Sequence, residues 1–481
     1  MIGVSPSPVF AQTIEAHISV VSVSPPRVRV TGKRDAATRV WSFRNSYAGM
    51  LGLGDRIENL SLTDASGIDV PVRKLAPGEY EAAREALNWT YEIKLEPPTI
   101  PGDASFVSWL SAERGFLMLG DLLPTGEKKS LALVASRVRL SLPATWNAFT
   151  NELKRSDGEY DVSDVDDAIF FIGKGLRERR DRVGGTECTL ITEATWAFSD
   201  QDVLAMVTGI INEYASSLGA NPGQRITLML SHFPNSVGAE RWSAETRGHT
   251  VTLLSGQSPS KIAGLAQLST PLTHELFHLW VPNGLQLAGN YDWFYEGFTL
   301  YKALCVSLRL GYLTFQDYLN ALGRAFDTYS DISEGRKMSL IDASKRRWTG
   351  PSKLVYQKGM LVAFLYDLTL RYSTNGKRSL EDIYRMLFKN ANLRGSRKDG
   401  NEVLISLLKS EKSLEDLVQS YIEGAIEIDL QSTLAPFGLK VIKVGNRTQI
   451  VASDKLDGHQ RDLLSAFGYN GEPRKSRRRT S

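Results

Sequence analysis

Apolar residues alternate with polar ones at Ile14, Ala16, Ile18 and Val20, and the alternation resumes at Val28 and Val30 after Pro25-Pro26. A period of two puts such residues on one face of a strand. Leu131, Leu133 and Val134 lead into Val138, Leu140 and Leu142 in the same manner, and turn signals at Gly32, Asp64-Ala65-Ser66-Gly67 and Pro101-Gly102-Asp103 separate the runs. The pattern predicts a β-rich domain over residues 14–198, either a sandwich or an open sheet.

At Ser199 the period changes. Ser199 and Asp202 form a capping-box-like start, and Val203, Met206, Val207, Ile210, Ile211 and Tyr214 keep helical spacing to the stop at Gly219. Two strands are expected over 225–230 and 250–254, then a helix from Ile262. A separate helix of about three turns follows, with Thr270 as N-cap, Pro271 in its first turn and Val281-Pro282-Asn283-Gly284 as its end. Further helices are expected from Asp292 to the stop at Gly311, over 354–370, and in amphipathic segments from 380 to 426. Internal repeats are not found. These readings give an α+β chain with a second domain over 199–440 and a short extension over 441–481.

Composition narrows the class. With 481 residues, 42% hydrophobic and 23% charged, the chain has ample core for two or three domains and no apolar run of transmembrane length. The net charge is +3, with no long basic face apart from Arg474-Lys475-Ser476-Arg477-Arg478-Arg479, which reads as a solvated end rather than a nucleic-acid surface. Cys188 and Cys305 stand in unrelated contexts, so neither a disulfide framework nor a thiolate metal site is indicated. Residues 1–13 read as the end of a cleaved secretory signal, through Phe10-Ala11-Gln12, or as a disordered N-terminus. The first reading implies a periplasmic or secreted location; the second keeps a cytoplasmic one open.

The chemistry concentrates at His274-Glu275-Leu276-Phe277-His278. On a helix, positions four apart lie about 40° apart around the axis and roughly 6 Å along it, so both imidazoles can reach one metal ion. Glu275, about 100° round from His274, is set to address a water on that metal. By chance such a motif arises in roughly one chain of this composition in two hundred, which favours a metal over two incidental histidines. Leu272, Leu276, Phe277, Leu279 and Trp280 make the helix apolar nearly all round, and buried polar groups on such a helix need a partner. A zinc site of this kind wants a third protein ligand, and Glu296, in the first turns of the following helix, is the candidate. One zinc ion per chain is expected, bound by His274, His278 and Glu296.

His274 to Trp280 followed by Trp293-Phe294-Tyr295-Glu296-Gly297-Phe298-Thr299-Leu300-Tyr301 resembles the glycyl aminopeptidase family of gluzincin zinc metallopeptidases. Val355-Tyr356-Gln357-Lys358-Gly359-Met360-Leu361-Val362-Ala363 is similar to the family's Y-x-K-G-x-L-V-A segment, and a weaker likeness runs from Leu414 through Tyr421-Ile422-Glu423-Gly424 to Phe437-Gly438-Leu439. The chain departs from the family in the loop between His278 and Glu296, which has seventeen residues where family members usually carry a longer insert. It departs again after Lys440, where too few residues remain for the PDZ domain that often ends the family. The resemblance implies a thermolysin-like, mainly helical zinc catalytic domain behind the β-rich one. It also implies an aminopeptidase acting on small N-terminal residues of peptides with a free N-terminus.

The resemblance assigns two further roles. Tyr356 would donate its hydroxyl to the carbonyl oxygen of the substrate, and Glu245, at the acidic position before the 250–254 strand, would anchor the substrate amine. The glycines and histidine that accompany that acidic position in the family are absent here, and Glu240 offers a competing alignment. Two other functions stay open on sequence: a zinc hydrolase of an ester or epoxide, and a peptide-binding pseudo-enzyme. The second is disfavoured because none of His274, Glu275, His278 and Glu296 is missing. Neither nucleic acid nor a membrane span is expected as a partner, and the oligomeric state is unknown.

Overall fold

A computed structural model describes residues 13–124, 135–193, 195–285, 287–332, 337–391 and 398–470. Phe10-Ala11-Gln12, the run 131–134 and the basic segment 474–479 lie outside them. The chain divides into two compact units, Met1–Leu204 with Gly223–Gln267, and Ala205–Pro222 with Leu268–Ser481.

In the first unit, the alternating residues at the start of the chain build a nine-stranded sheet. Thr13–Val23 pairs antiparallel with Pro26–Ser42, setting Ile18 opposite Val30, and parallel with Ala135–Ser141, setting Ala16 opposite Val138. Ile14, Ala16, Ile18, Val28, Val30 and Val138 thus share one face and are all buried, with Trp41, Trp89 and Tyr91 filling the same core. A four-stranded sheet contains Arg114–Met118 and Ile169–Gly173. Every residue of Ile169–Gly173 is buried, as an uninterrupted apolar run requires when both faces are covered. Phe170 and Ile172 enter the core beside Val30, whereas Ile169 and Phe171 enter a second core with Met229, Phe233 and Leu254.

Those last three residues come from a five-stranded sheet ordered Arg177–Val183, Thr186–Thr192, Arg225–His232, Thr250–Ser255 and Trp242–Arg247. Its three inner strands are parallel and the two outer ones antiparallel. The expected division at 198/199 assigned 223–267 to the catalytic half. The structure instead packs Gly223–Gln267 with the β-rich half, because Met229, Phe233 and Leu254 share a core with Phe116 and Phe171.

The second unit is mainly helical. Helix Gly359–Ser373 is buried without a break from Gly359 to Leu368, so it forms the centre of the unit. Its Asp367 accepts hydrogen bonds from Tyr301 at 2.7 Å and Arg371 at 3.0 Å, which satisfies a buried carboxylate. The extension expected after 440 is structured over part of its length: Leu439–Val444 and Arg447–Ala452 pair as a hairpin, and helix Gly458–Ser465 follows behind a capping box of Asp457 and Gln460. Thr448 N–H donates to Asp327 at 2.8 Å, fastening the hairpin to helix Phe315–Ser330. Among the described residues no helix is long and apolar enough to cross a membrane.

Candidate metal centre

His274, Glu275 and His278 lie in the last turns of one helix, Lys261–His278. Two separate helices were expected here, with Thr270 as N-cap of the second. The structure continues the helix through Pro271 instead, because Leu268, Leu272 and Leu276 form an unbroken buried stripe that outweighs the one backbone bond proline cannot make. The Tyr214 hydroxyl donates to Thr273 carbonyl at 2.6 Å and holds the helix one residue ahead of His274.

The two Nε2 atoms of His274 and His278 face each other at 3.1 Å. His278 Nδ1 sits 2.9 Å from the Val281 carbonyl, which can only accept. The proton of a neutral His278 ring is thereby assigned to Nδ1, and Nε2 keeps its lone pair for a cation. Glu296 completes the set: its Oε2 lies 3.3 Å from His274 Nε2 and 3.6 Å from His278 Nε2, is buried, and makes no hydrogen bond. Zinc bonds of about 2.0–2.1 Å spread at the tetrahedral angle separate donor atoms by about 3.3 Å, so these three atoms have the spacing of one face of such a site.

Glu275 competes for the third position on proximity alone, since a carboxylate oxygen comes within 4.8 Å of both ring nitrogens. Glu296 places its orphaned oxygen 3.3 and 3.6 Å from the two Nε2 atoms, a spacing that fits a ligand shared with both rings. Burial would raise the Glu296 carboxyl, but His274, His278 and Arg347 beside it outweigh that and hold it well below the usual range. Burial disfavours a charged His278 ring, yet the Glu296 carboxylate prevails and lifts it to about 9.

Glu296 and Tyr356 each sit on a π-helical turn, Trp293–Phe298 and Leu354–Lys358, a local geometry often found at functional sites. The residue after Glu296 is Gly297, and Gly359 follows the second turn. A Cβ on Gly297 would stand 2.6 Å from Gly359 Cα, and one on Gly359 would stand 2.8 Å from the Trp293 carbonyl oxygen. The two segments therefore touch backbone to backbone, which is why glycine is needed at both positions.

Arg347 was not singled out by the sequence. It follows Lys345 and Arg346, both exposed, and nothing in the run marks the third cation as different. A short 3₁₀ turn, Arg347–Thr349, carries it inward. There Nη2 pairs with Glu296 Oε1 at 2.8 Å and donates to the Tyr356 hydroxyl, while Nη1 donates to Asp292 Oδ1 at 3.0 Å and to the Tyr295 hydroxyl at 3.3 Å. Tyr356 is half-buried; burial and the nearby Glu296 carboxylate raise its pKa well above the ordinary phenol value, against the opposing pull of Arg347.

His274, Glu275, His278, Glu296 and Tyr356 thus all belong to the second unit. Glu245 lies in the first, on strand Trp242–Arg247. Its Oε1 accepts from the Tyr47 hydroxyl and its Oε2 from Arg247 Nε at 2.9 Å, so the carboxylate already neutralises a buried arginine.

Comparison with known proteins supports a peptidase-type hydrolase. Residues 267–362, which hold both ligand segments, Arg347 and Tyr356, match the M61 glycyl aminopeptidase family. Among solved structures, the chain is similar to an aminopeptidase N family protein from Idiomarina loihiensis, with a TM-score of 0.77 and 18% identity over 89% of this chain and 79% of that one. It is also similar to an M1 zinc metallopeptidase from Deinococcus radiodurans, with a TM-score of 0.56 and 17% identity over 88% of this chain and 96% of that one. A mutant of the latter bound to a Tyr-Ser-Ala substrate gives 0.57 and 15% over the same shares. At such identities the likeness is one of fold: a β-rich N-terminal part followed by a helical one. The chain has no match among curated proteins.

Proposed function

We propose that this chain is a zinc aminopeptidase that removes small N-terminal residues from peptides, using one zinc ion held by His274, His278 and Glu296. The observation that carries this reading is the convergence of two imidazole nitrogens and one orphaned carboxylate oxygen within 3.6 Å of one another. Bound there, zinc would polarise a water and the scissile carbonyl. Glu275 takes the proton from the attacking water and delivers it to the leaving amine. Tyr356 donates its hydroxyl to the carbonyl oxygen as negative charge develops. Metal-replete protein should contain one zinc per chain by elemental analysis, and a chelator should abolish hydrolysis of aminoacyl arylamides. Protein without stoichiometric zinc would sink the assignment, and cleavage of simple esters in place of peptides would move the chain to another hydrolase class.

Exopeptidase action rests on the M61 match and on the Tyr-Ser-Ala substrate bound by the Deinococcus radiodurans relative. Glu245 is the candidate anchor for the substrate ammonium, but it would have to serve while paired with Arg247 and Tyr47. A peptide with a free N-terminus should therefore be cleaved much faster than its N-acetylated form, and Glu245→Ala should reduce that preference. Equal cleavage of both peptides by the wild type rules out exopeptidase action. A preference that survives in Glu245→Ala keeps the activity and moves the anchor elsewhere, with Glu240 next to test.

A further inference from the structure

We propose that Arg347 is a positioning residue of the metal centre, fixing which oxygen of Glu296 faces the two histidines and where the Tyr356 hydroxyl stands. The inference rests on the metal-site reading above. Its starting point is the division of labour within one carboxylate: Oε1 is taken by Arg347 Nη2 at 2.8 Å, while Oε2 is left without a hydrogen bond, 3.3 and 3.6 Å from the imidazoles. Without the guanidinium, the carboxylate could rotate about its terminal bond and offer either oxygen, or both.

The same Nη2 also donates to the Tyr356 hydroxyl, so a single nitrogen ties the ligand to the residue that would face the substrate carbonyl. The other arm, Nη1, is held by Asp292 at 3.0 Å and touches the Tyr295 hydroxyl, which itself donates to Asp292 at 2.6 Å. The Trp348 ring stacks on the guanidinium with its centroid at 4.2 Å. The plane and the direction of the fork are thus both fixed. An ordinary buried ion pair needs only one carboxylate; this arginine spans two, Asp292 and Glu296, with one arm on each. A lysine ammonium is a point charge and cannot hold both in a fixed geometry.

Charge points the same way. Glu275, Asp292 and Glu296 are buried within one small region, and Arg347 is the cation that the structure pairs with the last two. With a divalent cation among the histidines and Arg347 in place, the positive and negative charges of the centre balance. Removing the arginine leaves a buried negative excess and frees Glu296 to reorient.

The test measures zinc affinity directly, by competition between metal-free protein and a chromophoric chelator, in wild type, Arg347→Lys and Arg347→Met. Unfolding temperatures of the metal-free forms serve as the control for folding. Both variants should bind zinc about 10–100-fold more weakly, the magnitude typical of losing an outer-sphere partner. Arg347→Lys should restore the metal-free unfolding temperature more than the affinity. Its kcat should fall with KM nearly unchanged, since Tyr356 is displaced as well. Wild-type zinc affinity in a folded Arg347→Lys protein overturns the inference, and that variant decides the matter if Arg347→Met does not fold. If the wild type itself binds no zinc, it is the metal-site reading that fails, a distinguishable result.

Discussion

Glu275→Gln lowers kcat by about 10³–10⁴-fold, roughly 4–5.5 kcal/mol of transition-state stabilisation, and leaves zinc affinity at the wild-type level. The expectation follows from what each buried carboxylate is doing. Glu296 turns an otherwise unbonded oxygen toward both histidines, so the proposed set of three protein ligands is complete without Glu275. Glu275 still brings an oxygen within 4.8 Å of the same nitrogens, a reach suited to a water in the remaining position. Glutamine preserves the shape and can hold that water by a hydrogen bond, yet it cannot accept a proton at neutral pH. Single-turnover rates and zinc titrations of the purified variant separate the two effects. Retention of wild-type kcat means another group is the base; loss of zinc along with activity means that Glu275 is a ligand and Glu296 is not.

The second large effect is expected at Tyr356. Replacement by phenylalanine removes one hydroxyl and should lower kcat by about 10²–10³-fold, about 3–4 kcal/mol, with little change in KM. Arg347 donates to the tyrosine oxygen, so the phenol accepts from the guanidinium and its own proton is not used in that contact. Because the raised pKa keeps that hydroxyl protonated across the neutral range, it remains a donor throughout. A change confined to KM would make Tyr356 a binding residue, and an unchanged kcat would require another donor for the developing charge.

Legibility in the sequence followed the range of the interaction. The two histidines and Glu275 are fixed by helical spacing alone, and the strand alternation at Ile14, Ala16 and Ile18 needs only its neighbours to be read. The helix boundary at Pro271 was misplaced for a physical reason: a proline after a threonine is a good local start signal, but the leucine stripe through 268, 272 and 276 buries enough surface to carry the helix past it. The division at 198/199 was read from a real change of period. What period cannot reveal is that Met229, Phe233 and Leu254 would be drawn into the core of the β-rich part. Arg347 lies at the far end of this scale. Its partners Asp292 and Glu296 are more than fifty residues away in the chain, and only the tertiary fold distinguishes it from Arg346 beside it.

The contact between Gly297 and Gly359 bears on how this enzyme could be altered. Atoms on both sides of that contact belong to the main chain, so no change of rotamer can make room for an added methyl group, and no substitution in a neighbouring side chain can compensate for one. The spacing between the two backbone turns that carry Glu296 and Tyr356 is consequently a fixed dimension of the scaffold rather than an adjustable feature of its lining. Selectivity for one substrate over another has to be retuned around that span, as one would fit new jaws to a vice whose screw cannot be moved.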